Sequence, residues 1–231
     1  MLYYAYQTQD EGRATMKNSK RAVYNKSFNM KSVSCFNYES LAFDLSAVTN
    51  STLRDGSIAS GTSFRSQILS SSLVMLHVNG FSALEPFFNT VDVQHCRANR
   101  LEWQTGSFFN VNLYYSSFEE SQFIDCKFSS VKFQDCTLTG DYFRECRFGN
   151  VSFENTTLDG VHFQACDLRG VDWSKAHLVN CIFENCLVNF EGMKKAADMQ
   201  GLNLNHKYWN GKHTVCFMPI PTEAYPLNLC A

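Results

Sequence analysis

The chain has 231 residues, a formal net charge of −2 and 45% hydrophobic residues, which fits one globular domain without a low-complexity linker. That near-neutral balance gives no support for a surface that holds nucleic acid directly, and no apolar run approaches the roughly 18 residues a membrane span needs. The 20 Phe and 10 Cys exceed ordinary usage for this length, so something periodic is consuming them.

Residues 1–22 are polar and basic after an opening Tyr cluster and read as a tail or cap. Met1–Tyr6 has neither the basic start nor the long apolar run of a secretory signal, so a cytoplasmic protein is expected, with leaderless export still compatible.

Residues 23–190 are organised by a five-residue repeat. Every fifth residue from Phe108 to Val188 is large and apolar, and the same frame runs upstream to Phe28 with one break, at Ser63. Two residues before each frame position sits a mostly small one, for example Val111, Ser116, Ser121, Cys126 and Thr156. Two inward sites in five residues fit neither the helical period nor the strand period, so the chain turns a corner in every repeat. At a spacing of twenty, residues sort into columns of like type: Cys126, Cys146, Cys166 and Cys186; Phe123, Phe143, Phe163 and Phe183; Leu138, Leu158 and Leu178. Stacking such columns builds a continuous apolar axis in a solenoid.

Residues 191–231 leave the frame. Met193, Ala196, Ala197 and Gln200 share a helical face with Gly201 placed as C-cap, which predicts a short capping helix over 191–201. The tail beyond it, with Tyr208, Trp209, Phe217, Pro219 and Pro221, is too apolar to be free and too Pro-rich for a helix.

Segments such as Cys126-Lys127-Phe128-Ser129-Ser130 and Cys166-Asp167-Leu168-Arg169-Gly170 resemble the pentapeptide-repeat family, with Cys and Phe widely replacing the consensus Ala and Leu. The resemblance implies an all-β fold: a right-handed quadrilateral parallel β-helix of about eight coils, stacked about 4.8 Å apart. It also implies a non-enzymatic protein without cofactor or metal. Some members imitate duplex DNA, bind DNA gyrase or topoisomerase IV and confer fluoroquinolone resistance, and some dimerise through a C-terminal cap. The quinolone-resistance type bears projecting loops that this uninterrupted frame lacks. A secreted bacterial effector is a further alternative.

The Cys column occupies the site that needs a small buried side chain, so buried free thiols are expected, whereas Cys216 and Cys230 should be accessible. An enzymatic reading around Asp141, Tyr142, Arg144, Glu145 and His162 is opposed by the absence of any nucleophile elbow, phosphate loop or HExxH motif. Asp141 falls on an inward small site and reads as a tolerated polar exception. Large apolar residues at outward positions are more telling: Phe64, Leu84, Phe87, Phe109, Tyr114, Tyr115 and Ile124 form the candidate surface for a protein partner. The sequence therefore reads as a rigid scaffold that binds a macromolecule along its outer faces.

Overall fold

The structure, a computed structural model, describes residues 67–205, with 190 and 205 as backbone alone. Outside that span it describes only the backbone of strands between Lys20 and Phe64 and of Lys207–Trp209 and Thr214–Cys216. The side chain of Phe64, residues 1–19, the tail from 217 and the thiols of Cys216 and Cys230 lie outside the described residues.

Four short strands make one coil, as in Ser117–Glu119, Gln122–Ile124, Lys127–Ser129 and Lys132–Gln134. Each pairs in parallel with the strand twenty residues on, so Phe123 lies opposite Phe143 and Phe128 opposite Phe148. The four sides are named here by their central residues: face 1 (Phe123), face 2 (Phe128), face 3 (Phe133) and face 4 (Leu138). Face 1 is a ten-stranded parallel sheet that begins at Lys20–Tyr24 and ends at Asn203–Asn205, so the stack extends beyond the repeat frame at both ends.

Frame residues fill the axis. Phe123, Phe143, Phe163 and Phe183 stack nearly parallel at 4.8, 5.1 and 5.1 Å between ring centroids. Phe108, Phe128 and Phe148 do the same at 4.8 and 4.9 Å. Between columns the rings meet edge to face, as Phe143 does with Phe148 at 5.5 Å and 66°. Offset stacking along the axis and edge contacts across it both suit the ring quadrupole, which is why Phe fills a column as well as Leu does.

The corners rest on backbone strain. The residue two beyond each frame position adopts positive φ from Ser70 to Ala165, and most of these are not glycine: Thr105 is at 54°, Asp125 at 49° and Glu145 at 57°. Each such conformation costs a non-Gly residue about 1–2 kcal/mol. It is offset by a hydrogen bond to the next coil: Asp125 N–H donates to the Arg144 carbonyl at 2.9 Å, and Glu145 N–H to that of Gln164 at 2.8 Å. Gly170 departs from this pattern because the chains pass too closely, and a Cβ there would sit 2.6 Å from the Phe148 carbonyl oxygen.

The expected capping helix over 191–201 is corrected. Helix is confined to Phe190–Met193, after which the coil resumes as Asp198–Gln200 and Asn203–Asn205. Met193 keeps its place in the frame and is 1% exposed, while the register beyond it lengthens to 21 residues, with Met199 opposite Leu178 and Leu204 opposite Phe183. Strands win because they pair with the edge left by His177–Glu184, which a helix lying across it would leave unsatisfied. Met193, Ala196, Ala197 and Gln200 therefore share no helical face, and Gly201 serves a corner at φ 61° instead of a helix C-cap. The backbone farther on forms an antiparallel pair, Lys207–Trp209 with Thr214–Cys216.

Truncating an axial ring should damage the whole rod. Phe143→Ala is expected to cost about 3–5 kcal/mol in urea unfolding, against less than about 0.5 kcal/mol for Arg144→Ala on the outer surface.

Candidate functional site

The inward small sites do more than save space. At the corner between faces 3 and 4, three backbone N–H groups point at the polar side chain one coil ahead. Leu76 N–H donates to Cys96 Sγ at 3.5 Å, Cys96 N–H to Ser116 Oγ at 3.1 Å and Cys136 N–H to Thr156 Oγ1 at 3.3 Å. Leu101 N–H donates to Ser121 Oγ at 3.2 Å between faces 4 and 1, and Ser121 N–H to Asp141 Oδ1 at 2.8 Å. The corner between faces 2 and 3 differs. There the small site is valine from Val91 to Val171, and Val91 lies opposite Val111 and Val151 opposite Val171 in parallel register. Read by its size alone, Cys is a small hydrophobe; the structure gives it a second task, as an acceptor that also returns its S–H to a carbonyl. Cys146 donates to Phe123 O at 3.2 Å and Cys166 to Phe143 O at 3.3 Å.

Cys126, Cys146, Cys166 and Cys186 are all buried and unbridged, as are Cys96, Cys136 and Cys181. Burial pushes the Cys136 thiol up to about 11 and the Cys181 thiol up to about 12, and raises those of Cys146 and Cys186 as well. Thiols held protonated are poor nucleophiles and poor metal ligands. Among the described residues no group of three or more His, Cys, Asp or Glu is placed to hold a metal ion.

The polar residues on face 1 bond mainly to one another. Tyr142 and His162 are stacked neighbours, with ring centroids 5.0 Å apart, and the Tyr142 hydroxyl bonds Gln164. Gln164 Nε2 and His162 Nε2 both reach Glu184 Oε2, at 2.9 and 3.2 Å. Arg144 lies 3.8 Å from Glu145 at the surface. Asp141 faces the other way, into the axis, fully buried and separated from these groups by the sheet. The outer partners satisfy one another.

The outward apolar residues divide between two sides of the rod. Leu84 and Ile124 share a column on face 1 with Gln104 between them, and Leu84 is 40% exposed. Phe87 and Phe109 meet on face 2 at 5.8 Å, across the neighbouring corner. Tyr114 and Tyr115 lie elsewhere, at the end of face 3, where Tyr115 stacks on His95 at 5.2 Å and 9°. Phe64 pairs with Leu84 in backbone register, its side chain lying outside the described residues. The sequence columns placed these residues on outer faces; pooling neighbouring faces hid the fact that they form two patches.

A parallel four-sided solenoid with an aromatic and thiol-lined axis is the class of protein this geometry defines. Residues 116–190 match the family model described as a pentapeptide repeat region. No curated protein matches the chain in sequence. Among solved structures it is similar to HetL, a pentapeptide repeat protein involved in heterocyst differentiation regulation from the cyanobacterium Nostoc, at 12% identity, TM-score 0.43, covering 80% of this chain and 88% of that one. It is also similar to a trypsin-treated variant of QnrB1, a plasmid-mediated fluoroquinolone resistance protein, at 14% identity, TM-score 0.32, covering 81% and 91%.

Among the described residues Asp141 is the one carboxylate the axis encloses, and its Oδ2 has no hydrogen-bond partner there. Burial lifts its carboxyl from 3.8 to about 7, against the opposing hydrogen bonds from Ser121. An acid whose folded value is raised holds its proton longer when folded than unfolded. Stability therefore falls as pH rises from about 4 to about 7 and stays reduced above that. Asp141→Asn keeps the acceptor for Ser121 N–H and cannot ionise. Its urea midpoint should equal the parent's near pH 4 and exceed it by pH 8, by on the order of 4 kcal/mol at most; a difference independent of pH would refute the account.

Proposed function

We propose that the protein is a non-enzymatic scaffold that binds a protein partner through the outer faces of the coils between residues 69 and 124. The observation that carries this reading is where exposed apolar surface lies. The large hydrophobic residues most exposed among those described are Met75, Leu84 and Tyr115, all in this half, while outward positions farther along the rod are mainly polar or charged. Phe87 and Phe109 add an aromatic pair beside Leu84, and clustered aromatic anchors dominate binding energy when a partner covers them. A closed solenoid suits such a task, because its backbone is paired along the stack and its outer side chains sit on a rigid lattice. A reducing compartment such as the cytoplasm suits its buried, unbridged thiols.

Charge argues for protein over a DNA-like surface. The corner row Glu85, Asp125 and Glu145 is interrupted by Thr105 and closed by Ala165. Beside it on face 2 stand Lys127 and Arg147, adjacent in register. A mixed surface of this kind presents no continuous negative stripe.

The reading is tested by comparing the native chain with a Leu84→Ser, Phe109→Ser double variant in affinity capture from host lysate. The variant should lose the captured protein while its urea midpoint falls only modestly, since Leu84 is exposed and Phe109, though packed on Phe87, is half-buried and outside the axis. Undiminished capture, or early unfolding of the variant, would contradict it.

A further inference from the structure

Along the corner between faces 3 and 4, the positive-φ residues of successive coils are Met75, His95, Tyr115, Asp135 and Asn155, about 4.8 Å apart. The first three form a ridge. Met75 is 48% exposed and Tyr115 58% exposed, and the Tyr115 ring lies parallel to that of His95. On the other side of Tyr115 the column changes character, from ring to carboxylate. The side chain of Asp135 accepts a hydrogen bond from Asn155 Nδ2 at 3.3 Å, but no cation pairs with it among the described residues. Two lysines of the neighbouring strands and corner are committed elsewhere: Lys132 Nζ and Lys175 Nζ both bind Glu154, at 2.9 and 2.6 Å, and draw its carboxyl down to about 2. Beside this step opens a cleft of ≈ 340 Å³, floored by Ser117 and Thr137 and bounded by Tyr115, Asp135 and Arg97.

We propose that this step in the corner column receives an arginine side chain of the partner protein, its guanidinium stacked on the Tyr115 ring and hydrogen-bonded to Asp135. A planar group is required because the position continues the stacked pair of His95 and Tyr115, and a cation because the Asp135 carboxylate beside it has no cationic partner among the described residues. Guanidinium alone among side chains is both, stacking on aromatic faces while its fork of donors matches a carboxylate. An ammonium would meet Asp135 as a point charge and gain little from the ring edge. Arg97 stands on the Ser117–Thr137 row, two coils from Thr137 and so roughly 10 Å away along the rod. Its own positive charge directs an incoming cation to the Asp135 end of the cleft.

This assignment rests on the protein-binding reading and adds the chemistry of one contact to it. The test uses the full chain with ring-labelled tyrosine and follows the Tyr115 signals, assigned with Tyr115→Phe, by nuclear magnetic resonance. Three probes are titrated: N-acetyl-arginine amide, N-acetyl-lysine amide and the neutral planar N-acetyl-citrulline amide. Arginine should shift the Tyr115 ring saturably, with lysine and citrulline each weaker by about threefold or more. Asp135→Asn, which the positive φ at this corner accommodates because Asn tolerates it, should reduce arginine to the level of citrulline. Absence of a saturable shift, equal response to the three probes, or an unchanged response in Asp135→Asn would each overturn the assignment. None of these touches Leu84 or Phe109, so the lysate capture can succeed while this assignment fails.

Discussion

A chain that turns four corners in twenty residues must find a partner for the backbone N–H at every corner, and it has no second layer of structure to supply one. The rod solves this along its own axis. Corner residues at positive φ donate to the carbonyls of the next coil, as Asp125 does to Arg144. The small inward residues accept from the coil behind, through Cys96, Ser116, Ser121, Asp141 and Thr156. A buried donor left alone costs about 1–3 kcal/mol, and a solenoid repeats that cost at every corner. Cys, Ser, Thr or Asp at these sites thus supplies an acceptor that Val161 and Ala176, at the same two corners, do not.

Once the corners are closed, the remaining properties follow. The frame residues stack at the spacing the backbone imposes, and rings held 4.8 to 5.1 Å apart gain from both burial and offset stacking. The thiols are sealed inside the stack, away from reagents in solution. What remains free is the outer lattice, whose rows are as regular as the coil. Among the described residues the interior is filled, so what the body presents to other molecules is its surface.

Much of this was legible in the residues. The frame from Phe28 to Val188, the twenty-residue columns and the inward position of the Cys series all come from apolar periodicity, which is the term that dominates burial. Less legible were features set by hydrogen bonding and by corner geometry. Helical spacing of Met193, Ala196 and Ala197 suggested eleven residues of helix, yet Met193 also continues the five-residue frame, and the demand of the last strand edge for a partner prevailed. The Asn and Asp that recur two residues past the frame, such as Asn110, Asp125 and Asn150, were a readable sign of positive φ. The split of the outward apolar residues into two patches was likewise implicit in their positions within the coil.

The claim that inward polar side chains close the corners is tested most directly at Thr156, whose Oγ1 accepts from Cys136 N–H. Thr156→Val keeps the shape and removes the acceptor; Thr156→Ser keeps the acceptor and removes a methyl group. Native-state hydrogen exchange read at the Cys136 amide should speed up by about tenfold or more in the valine variant, and remain close to the parent in the serine variant after correction for global stability. Equal protection of that amide in the parent and the valine variant would contradict the account.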